Sequence, residues 1–225
     1  MKAAAILVVC TSLSAWASIG ESRELKGFDR LSLSNAVEAT VTQGDAIKVK
    51  VSADSADTLK KVKTEVKDGT LSVRLDEGWC FRCEVKVEVV MPKLARLDLS
   101  GASKAQVDGA FGPQLELEAS GASKATVRGL KAAALKAHAS GASELSLTGT
   151  VTALEIEASG SSEIEAPKLA CQNVKVELSG ASSAELRAEA GIDADLSGAS
   201  TVTVSGKPAQ RHVDTSGASR VKWKD

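Results

Sequence analysis

Three sets of residues in this 225-residue chain have types and spacings that could do chemistry. Cys80 and Cys83 stand in Trp79-Cys80-Phe81-Arg82-Cys83, the C-x-x-C spacing of a thiol redox pair. Fourteen serines come from a phrase close to Ser-Gly-Ala-Ser that starts at Ser100, Ser120, Ser140, Ser159, Ser179, Ser197 and Ser216, and could be thought of as nucleophiles. Two residues before each phrase stand Asp98, Glu118, His138, Glu157, Glu177, Asp195 and Asp214, six acids and one histidine that could collect a divalent cation.

Each chemistry makes demands that the surrounding residues can be checked against. A redox cysteine pair belongs at a helix N-terminus, which lowers the thiol pKa. Here the pair lies between two strand-like runs, Thr70–Glu77 and Glu84–Met91. A structural loop disulfide between Cys80 and Cys83 is the expectation in an oxidising compartment. No second Cys or His pair stands at zinc-finger spacing, and Cys171 is left over as a free or buried thiol. A nucleophilic serine needs one particular base, whereas these serines are periodic and lack a G-x-S-x-G elbow. They are expected to hydrogen-bond up a stack or to corner backbone. His138 and His212 fall at outward strand positions and read as solvated surface residues. For the carboxylates, calcium takes about six to eight oxygen ligands. The glycine-rich nonapeptide pattern of calcium β-rolls is absent, so structural charge patterning is the first reading. The column Asp98, Glu118, Glu157, Glu177, Asp195 and Asp214 is the candidate cation site of the second reading. No cofactor and no catalytic residue is expected.

The elements that hold these residues follow from the repeat. Its spacings are 20, 20, 19, 20, 18 and 19 residues. With each first serine as position zero, position −3 reads Leu97, Leu117, Ala137, Ile156, Val176, Ala194, Val213, and position +7 reads Val107, Val127, Leu147, Ala166, Leu186, Val204, Trp223. Positions −1 and +5 are almost as apolar, so the pattern alternates at period two on both sides of the phrase. Each unit offers two short strands joined by a corner. It cannot bury its own apolar face, so units must stack. The expected fold is all-β: a parallel β-solenoid of seven to eight coils of about 20 residues. The glycine takes the corner position that needs positive φ, Ala102 packs inward, and Ala105 and Val107 begin the next buried strand. An eighth, degenerate copy aligns at Ser34, with Asn35, which tolerates the left-handed conformation, in place of glycine.

Position −4 reads Arg96, Glu116, Lys136, Glu155, Lys175, Asp193, His212, alternating in sign up the stack. It forms a ladder of opposite charges and supplies cations beside the acidic column, fixing register more than adding stability. From Asp45 to Pro92 the alternation is of ordinary hairpin type, with one or two helical turns at Ser55–Lys61. This segment is expected to cover one end of the stack, and Trp223 to plug the other.

Met1-Lys2, an apolar run and Ala15-Trp16-Ala17 make residues 1–17 a secretory signal peptide; a lipid-modified Cys10 is the rival reading. The chain therefore divides into 1–17 signal peptide, 18–92 N-terminal β unit with the degenerate repeat, and 93–225 repeat solenoid. The mature part should be extracytoplasmic: periplasmic, secreted or on the cell surface. Losing Lys2 takes the formal charge from −1 to −2, which gives no electrostatic case for nucleic acid or acidic membranes. No later apolar run could span a bilayer. There is no Tyr, so a core must be built of small and β-branched residues in layers.

The phrases Phe28–Asp45, Val62–Leu75 and the serial Ser-Gly-Ala-Ser units resemble the putative auto-transporter adhesin head GIN domain family, over roughly Phe28 to the C-terminus. The resemblance implies a bacterial secreted or surface protein with a right-handed β-helical fold and no established biochemical activity. Function then reads first as a non-catalytic surface-interaction module with a protein or glycan partner. A carbohydrate-active β-helix enzyme lacks aromatic platforms here, and thiol redox activity ranks last. Self-association through solenoid ends or faces is a further option.

Overall fold

The structure is a computed structural model that describes residues 19–76 and 83–224. In chain order, the N-terminal part forms β1 (Ile19–Arg23), β2 (Arg30–Leu33), β3 (Val37–Gln43), β4 (Lys48–Ala53), α1 (Ala56–Lys61), β5 (Val62–Lys67), β6 (Thr70–Leu75) and β7 (Val85–Met91). The repeats form β8 (Arg96–Leu99), β9 (Lys104–Asp108), β10 (Gln114–Ala119), β11 (Lys124–Ala139), β12 (Glu144–Ala158), β13 (Glu163–Leu178), β14 (Ser183–Leu196), β15 (Thr201–Ser205), β16 (Gln210–Thr215) and β17 (Arg220–Lys224).

These strands stack as a β-solenoid with two main faces. One face runs β1, β4, β7, β3, β9, then the first parts of β11 to β14, then β15 and β17. The other runs β5, β6, β2, β8, β10, then the last parts of β11 to β14, then β16. Parallel pairing puts equivalent repeat positions on top of each other, so Leu97 pairs with Leu117 and Ala125 with Leu145. Residues that alternate along each strand therefore form a single core between the faces, with no ring larger than those of Phe28 and Phe111 inside it.

The alignment by serine is in register throughout, and Ser34 does begin a coil, with Asn35 at φ 62°. Seven corners bound about six full turns, fewer than the seven to eight counted from repeats, because a turn is complete only when the chain returns to the next corner. The expected pairs of short strands are in fact continuous strands of 14 to 16 residues in β11 to β14. They bend through a short third face, where all the variation in repeat length is absorbed. Register shifts occur only there, between Val127 and Leu130, Ser146 and Thr148, Ala166 and Ala170, and Cys171 and Asn173.

The segment after Gln43 leaves the stack at this same junction. It is not purely antiparallel: β6 and β7 add parallel layers under β2 and β3, continuing the coil register. Their apolar residues Leu71, Val73, Val85 and Val87 sit where the repeat would put them, although no serine phrase marks the coil. Antiparallel β4, β5 and β1 then close the edges. Helix α1 lies over the end of the core with Leu59 buried, and its Ser55 N-cap hydroxyl accepts the Thr58 amide. The expected cap and helical turn are both present. At the other end Trp223 stacks on the strand above buried Val204 but stays 39% exposed, so the plug is thin.

Candidate functional site

The corner carries the most insistent part of the sequence and explains itself sterically. The phrase glycines have φ between 71° and 76°. A Cβ added to Gly160 would lie 2.5 Å from the carbonyl oxygen of Gly141, and one on Gly180 2.6 Å from that of Gly160. That oxygen is in use, since the next residue donates its amide to it at 2.7–2.8 Å, as Ala142 does to Gly121 and Ser161 to Gly141. Only glycine fits both the backbone angle and the close stacking.

Ala102 does not pack inward. It is exposed, and the residue that turns in is the second serine. Ser103, Ser123, Ser143, Ser162, Ser182 and Ser200 are 0–1% exposed. Each hydroxyl donates to the carbonyl oxygen of the first serine of its own corner, at 2.9 Å for Ser123 and 2.6 Å for Ser200. A small polar side chain is needed because the corner leaves that carbonyl inside with no strand opposite it. The hydroxyl protons are committed, and these serines have a structural role.

Chemistry is left to the outer face of the second sheet. Cross-strand pairing places Asp98, Glu118, His138, Glu157, Glu177, Asp195 and Asp214 in one straight column, and Arg96 through His212 in the column beside it. Between the acidic column and the corner serines runs a shallow groove of about 660 Å³, bordered by Glu118, His138, Glu157, Glu177 and Asp195. A second groove of about 600 Å³ flanks the other side of Lys136 and Lys175, over Ala134, Ala153 and Gly191.

The charges pair both up and across the stack. Arg96 clasps three carboxylates: Asp98 at 2.6 Å, Glu116 at 2.9 Å, and Glu118. Lys136 bonds Glu155 of the next coil at 2.7 Å, whereas Lys175 bonds Glu177 of its own strand at 2.6 Å. His138 Nδ1 lies 3.2 Å from Glu157, and His212 Nε2 lies 3.2 Å from Asp214. The expected ladder is thus half vertical and half sideways, with cations moved toward the acidic column. The Lys136 hydrogen bond holds the Glu155 carboxyl below the ordinary carboxylate range, and Glu155 in turn raises Lys136. Glu177 raises Lys175 in the same way. Asp98 moves the other way: partial burial raises its pKa despite Arg96. Among the described residues no cluster of three or more His, Cys, Asp or Glu side chains could hold a metal ion.

Cys80 lies outside the described residues, as does the expected signal peptide, residues 1–17. Cys83 Sγ is 3.3 Å from Thr58 Oγ1 on the capping helix. Cys171 is fully buried in β13, and burial pushes its thiol up to about 12. Sequence reasoning missed two features. One is Arg96 as a hub for three acids, which needed the registered neighbours on both sides. The other is Arg211, the one charged residue in the inward column Leu115, Leu135, Leu154, Val174, Ile192; its guanidinium lies 4.3 Å over the Trp223 ring. The break in that column was a readable signal.

A family model described as "Putative auto-transporter adhesin, head GIN domain" matches residues 27–208. A solved putative adhesin from Bacteroides fragilis is similar over 93% of this chain and 98% of its own, at 18% identity and a TM-score of 0.83. A putative adhesin from Parabacteroides merdae covers 92% and 96%, at 15% identity and 0.71. A protein from Parabacteroides distasonis named a putative lipid binding protein covers 92% and 97%, at 15% identity and 0.68. No curated protein matches the chain. At these identities the likeness carries the fold alone.

Proposed function

Since the chain belongs to the auto-transporter adhesin head GIN domain family, we propose that its mature part is a non-catalytic, extracytoplasmic binding module that docks a partner on the outer face of the second sheet. The observation that carries this reading is the registered groove beside the acidic column, built from five consecutive coils with no loop inserted between them. Binding sites of enzymes are usually raised on loops above a scaffold, whereas here the scaffold face is itself the surface. The partner that fits presents basic or hydrogen-bond-donating groups repeated along a line, since carboxylates recur one strand apart, about 4.8 Å. Residues 1–17 act as the signal peptide that delivers the module, and a Cys80–Cys83 disulfide staples the segment between β6 and β7. No helix among the described residues is long and apolar enough to cross a membrane.

The test is binding of the purified protein to arrayed glycans and immobilised matrix proteins, with two charge-reversed variants. Replacing Glu118, Glu157 and Glu177 by Lys should abolish the interaction. Replacing Lys104 and Lys124 on the opposite sheet should leave it unchanged. Equal binding by both variants, or loss only in the second, would remove this face from the proposal.

A further inference from the structure

The two ends of the stack are finished differently. At one end β1 and β5 close the two sheets, and α1 covers the core. At the other, among the described residues, β16 pairs only with β14 and β17 only with β15, so both sheets end in open backbone edges. The inward positions of this last coil are uncovered. Val213 is 37% and Trp223 39% exposed, whereas Ala194, Leu196, Val202 and Val204 one coil below are 0–1% exposed. This end is also basic. Among the described residues of this coil, Lys207, Arg211, Arg220, Lys222 and Lys224 outnumber its one acid, Asp214, in a chain of net charge −1, and Lys224 bonds Glu185 of β14 at 2.6 Å.

We propose that this end docks on the same end of a second copy, each β16 pairing antiparallel with β17 of the other. The register comes from the structure. Arg211 stacks on Trp223 across the coil, so these two stand level, as do Val213 and Val221, and Asp214 and Arg220. Within one coil β16 runs toward the corner and β17 away from it. A two-fold axis along the strands, through the corner at Gly217, therefore lays β16 on the second copy's β17 in antiparallel order, inward residues against inward residues. Val213 then meets Val221 of the second copy, Arg211 meets its Trp223, and on the outside Asp214 meets its Arg220. Opposite charges directly across an antiparallel pair are favourable, and like charges are not. The alternative two-fold arrangement, β17 on β17 with inward residues matched, sets Lys222 against Lys222 and Arg220 against Lys224. The lysine-rich edge rejects itself and accepts the strand that carries Asp214. An isologous contact of this kind is closed on itself, so this pairing joins two copies and no more.

Sedimentation equilibrium of the purified protein over a wide concentration range tests the pairing. The expected result is a monomer–dimer equilibrium with no larger species. Asp214→Arg and Arg220→Asp should each weaken the dimer about tenfold or more. Combining the two reversals should restore it. Both positions are exposed, so circular dichroism should show each variant folded. A folded protein that stays monomeric at every concentration overturns the proposal, including one that instead holds an anionic polysaccharide through Arg220, Lys222 and Lys224. So does a dimer that ignores both reversals, or growth beyond two copies.

Discussion

From Gly121 onward, each corner sets a glycine against the glycine of the corner before it, with room for nothing larger than hydrogen. On the outer face of the second sheet, a few residues earlier in the same coils, the chain sets a lysine over a glutamate, then a glutamate over a lysine, then an aspartate. Both regions repeat with the same period and both are exposed. They differ in what the repetition is for. The corner repeats because stacked backbone leaves one solution, and a neighbour cannot compensate for a change. The charged face repeats only in polarity, since each exposed pair contributes about 0–1 kcal/mol and a lost partner is replaced by water.

The largest effect is expected at the corner. Gly160→Val combines φ 76° with a Cβ 2.5 Å from the Gly141 oxygen, and should cost about 3 kcal/mol or more. Urea unfolding measures the loss. Cys171, in the same coil, is a second reporter: inert to thiol reagents in the native wild type and labelled readily in the variant. A variant as stable as wild type would mean that the coils can shift apart. The next effect is smaller. Ser162→Ala leaves the Ser159 carbonyl without its 2.9 Å donor and should cost about 1 kcal/mol.

On the charged face, Glu155→Gln should change stability at neutral pH by less than about 0.5 kcal/mol. Because the folded state depresses the Glu155 pKa, its contribution is present above the ordinary carboxylate value and is lost as pH falls through the folded value. Asp98 has the opposite sign. With its folded pKa raised, it binds a proton more tightly when folded, so its contribution declines as pH rises through that window. The acid limb of a stability–pH curve should therefore be shallow, and shallower still in Glu155→Gln or at high salt. The smallest expected effect is none: millimolar calcium or a chelator should leave the melting temperature unchanged. A rise with calcium would return the acidic column to the status of a cation site.

Much of this architecture was readable because the phrase recurs often enough to align by hand. The alternation around it gave the inward residues, and Asn35 could be placed at a left-handed corner from its chemistry alone. The swap of Ala102 for Ser103 was not readable, because alternation breaks down where the chain turns. Which of two small residues points in depends on a stranded carbonyl that only the folded corner reveals. The β6–β7 coil was hidden for a related reason. The sequence from Asp76 to Glu84 carries no phrase, and the alternation on either side is the same whether the strands pair parallel or antiparallel. In the candidate groove the two columns were legible as lists, but which cation serves which acid depends on side-chain reach across strands, as with Arg96.

The connection between the two faces has a consequence of another kind. Between positions +7 and −6 the coils hold six, six, five, six, four and five residues, while everything else keeps constant length. The same place admits the whole of β4 to β7 after β3. It behaves as an expansion joint: segments of any length can be spliced there while the corner and both faces keep their alignment. In lineages built on this scaffold, new loops should accumulate along that single seam, and a foreign peptide grafted between Leu186 and Gly191 should be displayed without loosening the stack.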